Sequence, residues 1–393
     1  MNVLFCTEKQ ISPLFGGTEQ ITQTIAQKLM SLGNNCFSLY IQQASSDIPL
    51  SKFTDSRKLR ESVSIKSQIN QVYDEYNITD CIVNFVSHRS KKLLMPIIYE
   101  EAKKRNIKVF YCYHAMPGED FYGAPLGYCW YKISHGYDVI QSLKDILLAL
   151  TPRCIWKPLI IKKYRVAFEN SDKTILLSPR FIPIYKELAG LSNVDKFSYI
   201  FNALSFDSFL QSNELNKKEK EVLIIARMDE RSKRISLALK IWQQIEKNAE
   251  NQDWRLTIVG GGHDLEYFKK LCQSLSLKRC CFEGRVNDIM PYYRRASIFM
   301  MTSAYEGFGL TLTEAQQNGV VPIVFDSYAS LHDIIISGRN GIIVENNNIN
   351  AYVSECVSLM KDAKRRLKLA ENALQDCKQF SQDKIIQRWL DIL

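Results

Sequence analysis

Short apolar runs alternate with longer amphipathic stretches along most of the chain. A short apolar run bounded by polar residues or glycine is typical of a buried strand, and apolar residues three or four apart indicate a helix with one buried face. The pattern predicts helices at 18–32, 65–76, 91–105 and 232–247. Predicted strands lie at 2–7, 36–41, 81–86, 108–113, 174–177, 197–200, 221–226, 254–259, 282–284, 298–302 and 320–325.

This alternation indicates an α/β protein with parallel sheets, and 393 residues favour two domains over one. The polar stretch QSNELNKKEKE at 211–221 marks a change in composition, so we interpret 203–220 as the linker region. The predicted domains are therefore 1–204 and 205–375. Residues 376–393 form a separate final segment that ends in a helix with one apolar face.

The most informative stretch is SAYEGFGLTLTEAQQNG at 303–319, which follows a predicted strand and turns through Gly307 and Gly309 into a helix. A helix that begins at the end of a strand offers free amide N–H groups and a positive dipole end, which suit a phosphate. Glu306 and Glu314 lie on either side of that position, and carboxylates suit hydroxyl groups. A ligand with a diphosphate between two hydroxyl-bearing rings fits this order, and a nucleotide sugar is such a ligand.

Glu306, EGFG and Glu314 resemble the E-x7-E motif of retaining glycosyltransferases of family 4, although two glutamates at this spacing also occur on ordinary solvated helix faces. The resemblance implies the GT-B fold, in which two doubly wound, Rossmann-like domains face a central cleft. In this fold the helix of the final segment, 376–393, crosses back to the N-terminal domain. It also implies that Glu306 holds sugar hydroxyls and Glu314 the ribose. The donor's sugar and phosphates would meet the backbone at Gly307, Phe308, Gly309, Leu310 and Thr311.

A second stretch, ARMDERSKRI, places Arg227 at a strand end and Lys233 at the start of the next helix. The two resemble the family's Arg and Lys pair, which implies a grip on the donor diphosphate; Arg231 and Arg234 could compete for the role of Lys233. When the bond to the sugar breaks, negative charge builds on the departing diphosphate, and a cation is needed to stabilise it. Since the chain has no Asp-x-Asp to hold a metal ion, we expect these basic side chains to replace it, with a plain surface pair as the alternative.

Three further predictions concern a short glycine motif and two single residues. Gly16 and Gly17, in GGTEQ, resemble the family's first glycine loop, which implies contact with the donor phosphates; a simple tight turn is the alternative. His114 follows a predicted strand, and the resemblance implies a place near the reacting sugar, against a purely structural histidine. Val286 is the candidate for pairing its backbone with the nucleotide base.

The net charge and the composition limit the kinds of partner and the cell compartment that we expect. The net charge of +9 suits an acidic partner, and no aromatic platform or groove-reading motif indicates nucleic acid. Eleven cysteines without a CxxC pair, and a start without a signal-peptide pattern, favour reduced thiols in the cytoplasm.

The segment 151–165 has five basic residues and no acidic one. It is predicted either to meet an anionic membrane surface peripherally or to be a solvated helix face, and Pro152 and Pro158 argue against a long helix there.

Together these features predict a retaining, metal-independent glycosyltransferase that needs no cofactor besides its co-substrate. The expected donor is a nucleotide diphosphate sugar, UDP-hexose or UDP-HexNAc, and the expected acceptor is a saccharide or lipid-linked saccharide of cell-surface polysaccharide or lipopolysaccharide synthesis. Three alternatives stay open at this point: a GT-B epimerase, a GT-B phosphorylase, and a binding subunit without catalysis.

Overall fold

The computed structural model describes residues 1–12, 16–45, 49–60, 62–134, 136, 138–248 and 251–393, with the backbone alone at 153, 154, 156, 157 and 159. The chain forms two compact units. Unit 1 comprises 1–118, 153–205 and 380–393, and unit 2 comprises 119–152 and 206–379. The second unit therefore includes a segment, 119–152, that lies in the middle of the first half of the sequence.

Unit 1 contains a seven-stranded parallel sheet in the order β3-β2-β1-β4-β5-β6-β7. The central strands are buried on both faces, because helices connect most of the successive strands. Its elements are β1 Asn2–Lys9, α1 Gly17–Ser31, β2 Asn35–Gln42, β3 Asp55–Lys58, α2 Ile65–Glu75, β4 Asp80–Asn84, α3 His88–Lys103, β5 Lys108–Tyr113, α6 Arg153–Glu169, β6 Lys173–Leu176, α7 Phe181–Ala189, β7 Phe197–Tyr199 and α16 Gln382–Leu390.

Unit 2 contains a six-stranded parallel sheet in the order β10-β9-β8-β11-β12-β13. This is the doubly wound order in which the first and fourth strands of the unit are neighbours. Its elements are α4 Leu126–Ser134, α5 Val139–Leu150, β8 Glu221–Ile225, α8 Glu230–Lys233, α9 Ile235–Glu246, β9 Arg255–Val259, α10 Leu265–Ser274, β10 Cys280–Gly284, α11 Met290–Arg295, β11 Ile298–Met301, α12 Leu310–Gln317, β12 Val321–Asp326, α13 Leu331–Ile334, β13 Ile342–Glu345, α14 Ile349–Lys361 and α15 Ala363–Asp376.

Two parallel, Rossmann-like sheets confirm the predicted fold class. The terminal helix α16 belongs to unit 1, where Lys28 of α1 pairs with Asp383 at 3.2 Å. The sequence prediction treated 1–204 as continuous, whereas the contacts of 119–152 are mostly with unit 2.

The predicted linker region, 203–220, contains the boundary between the units at 205/206, and its later part belongs to unit 2, where Leu210 and Leu215 are buried in the core and 212–217 form a 3₁₀ turn. One sequence expectation about local structure is wrong. Residues 153–169 form a helix of 17 residues that continues through Pro158. Because five of its side chains lie outside the described residues, Lys157 among them, the structure does not assign this segment's outer face.

Glycine allows two turns of unit 2 to touch. Gly260, after β9, has φ +138°, and a Cβ placed on it would lie 1.9 Å from the carbonyl oxygen of Ala226, after β8. The turns are also hydrogen-bonded, because the amide of Met228 donates to the oxygen of Gly261 at 3.0 Å. The loop that carries Arg227 therefore rests directly on the backbone of the glycine turn.

Gly260→Ala should destabilise unit 2 by roughly 3 kcal/mol or more, because it adds a backbone clash to an unfavourable φ. Gly338→Ala is the matched control: Gly338 has φ +79°, but a Cβ there meets nothing within 4 Å. The control should lose only about 1 kcal/mol. Urea unfolding of both variants measures the difference, and equal losses would show that the two turns do not need to touch.

Candidate functional site

The site residues of unit 2 converge at the point where the strand order of its sheet reverses. Strands β8 and β11 are neighbours, although four α-helices and two strands separate them in sequence. The chain that leaves β8 supplies 227–233, and the chain that leaves β11 supplies 302–309. In doubly wound sheets the carboxyl ends of the two strands at such a reversal border the ligand crevice.

Backbone and side-chain hydrogen bonds hold these two loops together. The amide of Ala304 donates to the carbonyl of Ser232 at 2.7 Å, and the hydroxyl of Thr302 donates to the carbonyl of Lys233 at 3.0 Å. Arg234 adds two more bonds, from Nε to the carbonyl of Thr302 at 2.6 Å and from Nη2 to the carbonyl of Ser303 at 2.8 Å. The positions of the side chains on the two loops are therefore coupled.

Lys233 and Glu306, predicted from separate motifs, are in direct contact. Lys233 Nζ lies 2.5 Å from Glu306 Oε1, which also accepts from the hydroxyl of Ser303 at 2.6 Å. Both charged side chains are mostly buried, with 20% and 13% of their surface exposed. In such surroundings an ion pair is screened less than on the open surface.

The other cations of the first loop have different roles. Arg227 is two-thirds exposed and pairs with Asp229 at 2.8 Å, so most of its guanidinium faces solvent. Arg231 donates to the carbonyl of Tyr122, and Arg234 is fully occupied by backbone carbonyls and two asparagines. Among the described residues, Glu306 accepts a hydrogen bond from Lys233, whereas Arg231 and Arg234 donate to other partners.

The glycine turn of the second loop adopts the conformation that its sequence predicts. Gly309 has φ +98° and is the N-cap of α12, which begins at Leu310. The carbonyl of Gly307 accepts from Ser330 at 3.3 Å, and Phe308 is buried beneath the turn. The amides of Leu310 and Thr311 belong to the first helical turn, where N–H groups have no acceptor within the helix. They are thus suitable donors to an anion.

Glu314 lies one turn further along α12, with only 3% of its surface exposed. One carboxylate oxygen accepts from the hydroxyl of Tyr293 at 2.8 Å. Burial, and then the charge of Glu314, raises the pKa of Tyr293 well above its usual value, so the phenol keeps its proton for this bond. Tyr293 therefore fixes the carboxylate of Glu314.

Val286 is half-buried in the loop after β10, next to the glycine turn, where the amide of Gly260 donates to the carbonyl of Gly284 at 2.8 Å. In unit 1, Gly16 is the N-cap of α1, with Gly17 as the first helical residue. The donor-binding roles of these three residues stay predictions.

His114 directly follows β5 in unit 1. Both ring nitrogens are buried, and neither has a hydrogen-bond partner among the described residues. Burial lowers the pKa of His114 to about 4, so the imidazole is neutral at pH 7. A neutral ring with one N–H donor and one acceptor nitrogen, both unsatisfied, is suited to hydrogen-bond a polar ligand group, since buried polar atoms are costly when unpaired.

One cluster in unit 2 has the residue types of a metal site. Oxygen atoms of Asp229 and Asp264 and a ring nitrogen of His263 lie within 4.8 Å of one another. However, Asp264 accepts from the hydroxyl of Tyr128 and, at 2.8 Å, from the amide of Glu230, and Asp229 accepts from Arg227 and Ser232. These hydrogen bonds already compensate the carboxylates, so the cluster has a structural explanation.

Sequence reasoning missed Tyr293, Arg234 as a bridge between loops, and Asp264. Tyr293 and Asp264 act through contacts with residues 21 and 34 positions away, and no local motif indicates such partners. The sequence does single out Arg234, which stands beside Lys233 at the start of a predicted helix. It indicated an alternative phosphate ligand, however, and not a residue that joins two loops.

The part of the chain that matches a known family lies almost entirely within unit 2. Residues 205–376 match the family model of glycosyl transferases group 1. An uncharacterized glycosyltransferase of Haemophilus influenzae is 26% identical over 229 residues, 58% of this chain and 63% of that protein. The match thus covers less than two thirds of this relative.

A second relative and a solved structure are similar to a larger share of the chain. A relative from Campylobacter jejuni, GalNAc-alpha-(1->4)-GalNAc-alpha-(1->3)-diNAcBac-PP-undecaprenol alpha-1,4-N-acetyl-D-galactosaminyltransferase, is 25% identical over 273 residues, 64% of this chain and 75% of that protein. The crystal structure of Anabaena HepE in complex with UDP aligns over 100% of this chain and 99% of that one, with a TM-score of 0.72 and 16% identity. Over residues 205–376 the chain is therefore similar to the glycosyl transferases group 1. At this identity the structural match shows the shared GT-B fold alone.

His114→Gln should flatten part of the pH dependence of stability. The folded pKa of about 4 lies below the ordinary value of 6.5, so the unfolded chain binds the proton more strongly. The parent should therefore lose stability as pH falls from about 6.5 to 4, by at most roughly 3 kcal/mol from this group. Glutamine cannot titrate, so the difference in free energy of unfolding between variant and parent should change across that window and stay constant above pH 7. A difference independent of pH throughout would show that His114 is not held neutral by burial.

Proposed function

We propose that this protein is a retaining glycosyltransferase that transfers a hexose or N-acetylhexosamine from a UDP-sugar to a saccharide or lipid-linked saccharide. The observation that carries the proposal is the contact between Lys233 and Glu306 beside the glycine turn of α12, at the strand reversal of unit 2. It brings a cation, a carboxylate and free helix-start amides together, as a phosphate linked to a sugar requires.

The donor diphosphate would lie at the start of α12, between the amides of Leu310 and Thr311 and the side chains of Arg227 and Lys233. Negative charge builds on the diphosphate as the glycosidic bond breaks, and cations fixed in advance stabilise that charge without reorganising. Lys233 is held in place by Glu306, and Arg227 is exposed enough to reach toward the ligand. Both cations belong to the protein, so the proposed mechanism needs no metal ion and no further cofactor.

The two glutamates would recognise the two rings of the donor. Glu306 uses Oε1 for Lys233 and Ser303, which leaves Oε2 to accept a hydroxyl of the transferred sugar. Glu314, fixed by Tyr293, would accept from the ribose, while the backbone near Val286 would meet the base. The Anabaena HepE complex with UDP supports a uridine nucleotide as the donor's carrier.

Retention is proposed from the resemblance of Glu306 and Glu314 to the family motif, and the surroundings of the sugar then favour attack from its front face. The proposed site places no nucleophilic carboxylate for a covalent intermediate, since Glu306 is committed to Lys233 and to the sugar. The acceptor hydroxyl would attack on the face that the diphosphate leaves, and the departing phosphate oxygen would take its proton. His114, neutral and with both ring nitrogens unsatisfied, would hold a hydroxyl of the transferred sugar. The Campylobacter relative's name specifies an alpha linkage, which supports this stereochemical outcome.

That relative's name also specifies an acceptor linked to undecaprenyl pyrophosphate, which supports a lipid-linked saccharide as the acceptor here. Such an acceptor resides in a membrane, so we propose that the protein works at the cytoplasmic face as a peripheral enzyme. Among the described residues, no helix is both long and apolar enough to cross a bilayer.

A panel of nucleotide sugars tests the proposed activity. UDP-sugars should raise the melting temperature of the protein, because a ligand that binds the folded state stabilises it, and at least one should be hydrolysed or transferred. Turnover should persist in excess EDTA. Loss of turnover on chelation, restored by magnesium or manganese, would contradict the role given to Arg227 and Lys233 and would direct attention to the cluster of Asp229, His263 and Asp264. Phosphorolysis without sugar transfer would instead identify a phosphorylase.

Glu306→Gln and Glu314→Gln should fail in different ways. Glu314→Gln should weaken UDP as well as the whole donor, because the ribose belongs to both. Glu306→Gln should leave UDP affinity within about threefold and reduce turnover by roughly 10²-fold, since sugar positioning is lost. Calorimetry with UDP and initial rates with the donor measure the two effects.

Exposed Glu371→Gln, on α15, is the matched control for the loss of one carboxylate charge and should change neither quantity. If Glu306→Gln loses UDP while Glu314→Gln keeps it, the donor lies in the opposite direction and the assignment of the two glutamates is wrong.

A further inference from the structure

Unit 2 contains a cavity of about 330 Å³ at the C-terminal end of α12, whereas the donor diphosphate would lie at the start of that helix. Three of the residues that line it are basic: Lys218, Lys364 and Arg366. Asn216 and Ser297, whose side chains can donate hydrogen bonds, line it as well, and none of its described lining residues is acidic. We call it the basic cavity. Its size and its charge suit a small anion.

Backbone carbonyls hold two of the three cations in place. Lys218 Nζ donates to the carbonyl of Tyr293 at 2.7 Å and to that of Asn318 at 2.6 Å. Arg366 donates to two carbonyls at the end of α14, at 2.6 and 3.2 Å. Among the described residues, no carboxylate lies within ion-pair distance of Lys218, Lys364 or Arg366. The positive charge of the cavity is therefore fixed in position and not neutralised at short range.

The ammonium group of Lys218 is the member of this set that is most sensitive to its surroundings. Burial lowers the pKa of Lys218 to about 7; Glu214 acts in the opposite direction, and Arg294 lowers the pKa further. The other charged groups of the cavity, Lys364 and Arg366, are also cations. An anion among these groups would favour the protonated form of Lys218, because an opposite charge nearby stabilises a charged group.

The two carbonyls that accept from Lys218 belong to residues that contact Glu314. Tyr293 donates from its hydroxyl to the carboxylate of Glu314 at 2.8 Å. Asn318 donates from its side-chain amide to the carbonyl of Glu314 at 2.9 Å. Lys218 thus links the basic cavity to both residues, and one of them fixes the carboxylate proposed to bind the ribose.

We propose that the basic cavity binds a small anion of the phosphate type, a free phosphate or a phosphate monoester, and that the bound anion tightens donor binding through Lys218. A fully charged Lys218 makes stronger hydrogen bonds to Tyr293 and Asn318, since charge-assisted bonds exceed neutral ones. The position of Glu314 is then held more firmly. This regulatory part rests on the proposed function, because it takes Glu314 as the ribose ligand. Binding of the anion does not depend on that assignment.

Calorimetry of the full chain with sulfate tests the site, with sodium chloride at equal ionic strength as the comparison. Sulfate has the geometry of phosphate but does not titrate near pH 7. Lys364→Glu should weaken sulfate binding about tenfold or more, because like charges would meet in the cavity. Lys364 is exposed and is not needed for folding contacts among the described residues. Lys368→Glu, one turn further along α15 and outside the cavity lining, is the matched control and should bind like the parent.

A second variant separates the cavity from the donor site. Arg227→Gln/Lys233→Gln removes the proposed diphosphate ligands and should keep sulfate binding. If this double variant loses sulfate while Lys364→Glu keeps it, the anion binds at the start of α12 and the proposal is wrong. It is also wrong if the parent binds no sulfate, or if Lys364→Glu and Lys368→Glu weaken binding equally.

Proton uptake tests the part played by Lys218. At pH 8 the parent should take up a fraction of a proton as sulfate binds, because binding raises the pKa of Lys218 from about 7. Repeating the titration in two buffers with different ionisation enthalpies measures this uptake. Lys218→Arg keeps the charge but cannot lose its proton, so it should bind sulfate without uptake. Equal uptake by the two proteins would exclude Lys218 as the group that responds.

The affinity for UDP tests the regulation. The ratio of UDP affinities with and without sulfate should be at least about threefold higher in the parent than in Lys364→Glu, since the coupling is lost with the site. Comparing ratios cancels any competition between sulfate and UDP at the donor site itself. Equal ratios would overturn the regulatory role. If neither protein binds UDP while the parent still binds sulfate, the proposed function fails and the anion site stands, so the two failures are distinguishable.

Discussion

The arrangement of the site depends on one side chain, Arg234, which joins the two loops at the strand reversal. Its guanidinium donates to the carbonyls of Thr302 and Ser303 and to the side chains of Asn346 and Asn347. Burial lowers the pKa of Arg234 to about 10, which still leaves it charged at pH 7. Each of its hydrogen bonds is therefore charge-assisted, and such bonds are roughly twice as strong as neutral ones.

The hydrogen bonds of Arg234 explain why Lys233 and Glu306 are in close contact. The residue next to Arg234 is Lys233, and three residues after Ser303 comes Glu306, so fixing the backbone at 234 and 303 leaves little freedom between the two charges. Exposed ion pairs typically contribute about 0–1 kcal/mol because mobile side chains must be ordered. Here the backbone is already ordered, and the pair is mostly buried. Its role is to hold a cation and a carboxylate at fixed positions before any ligand binds, which is the condition for electrostatic stabilisation without reorganisation.

Local patterns predicted the parts of this site that depend on neighbours in sequence. The strands, the turn at Gly309 and the position of Arg227 at a strand end all follow from hydrophobic period and glycine spacing. The contacts of Tyr293 with Glu314, and of Tyr128 with Asp264, could not be predicted, because they join residues that only the tertiary fold brings together. The helix through Pro158 shows the same limit, since packing in unit 1 outweighs a local preference against proline.

The first loop is also held by the helical hairpin of α4 and α5 and the segment before it. Arg231 donates to the carbonyl of Tyr122, just before α4, and Asp264 accepts both from Tyr128 of α4 and from the amide of Glu230. The segment 230–234 is thus fixed at one end by α4 and at the other by the loop after β11. These polar contacts act on the backbone at 230 and 231, between the two proposed diphosphate ligands, Arg227 and Lys233. They therefore connect α4 physically to the place where the leaving group would bind.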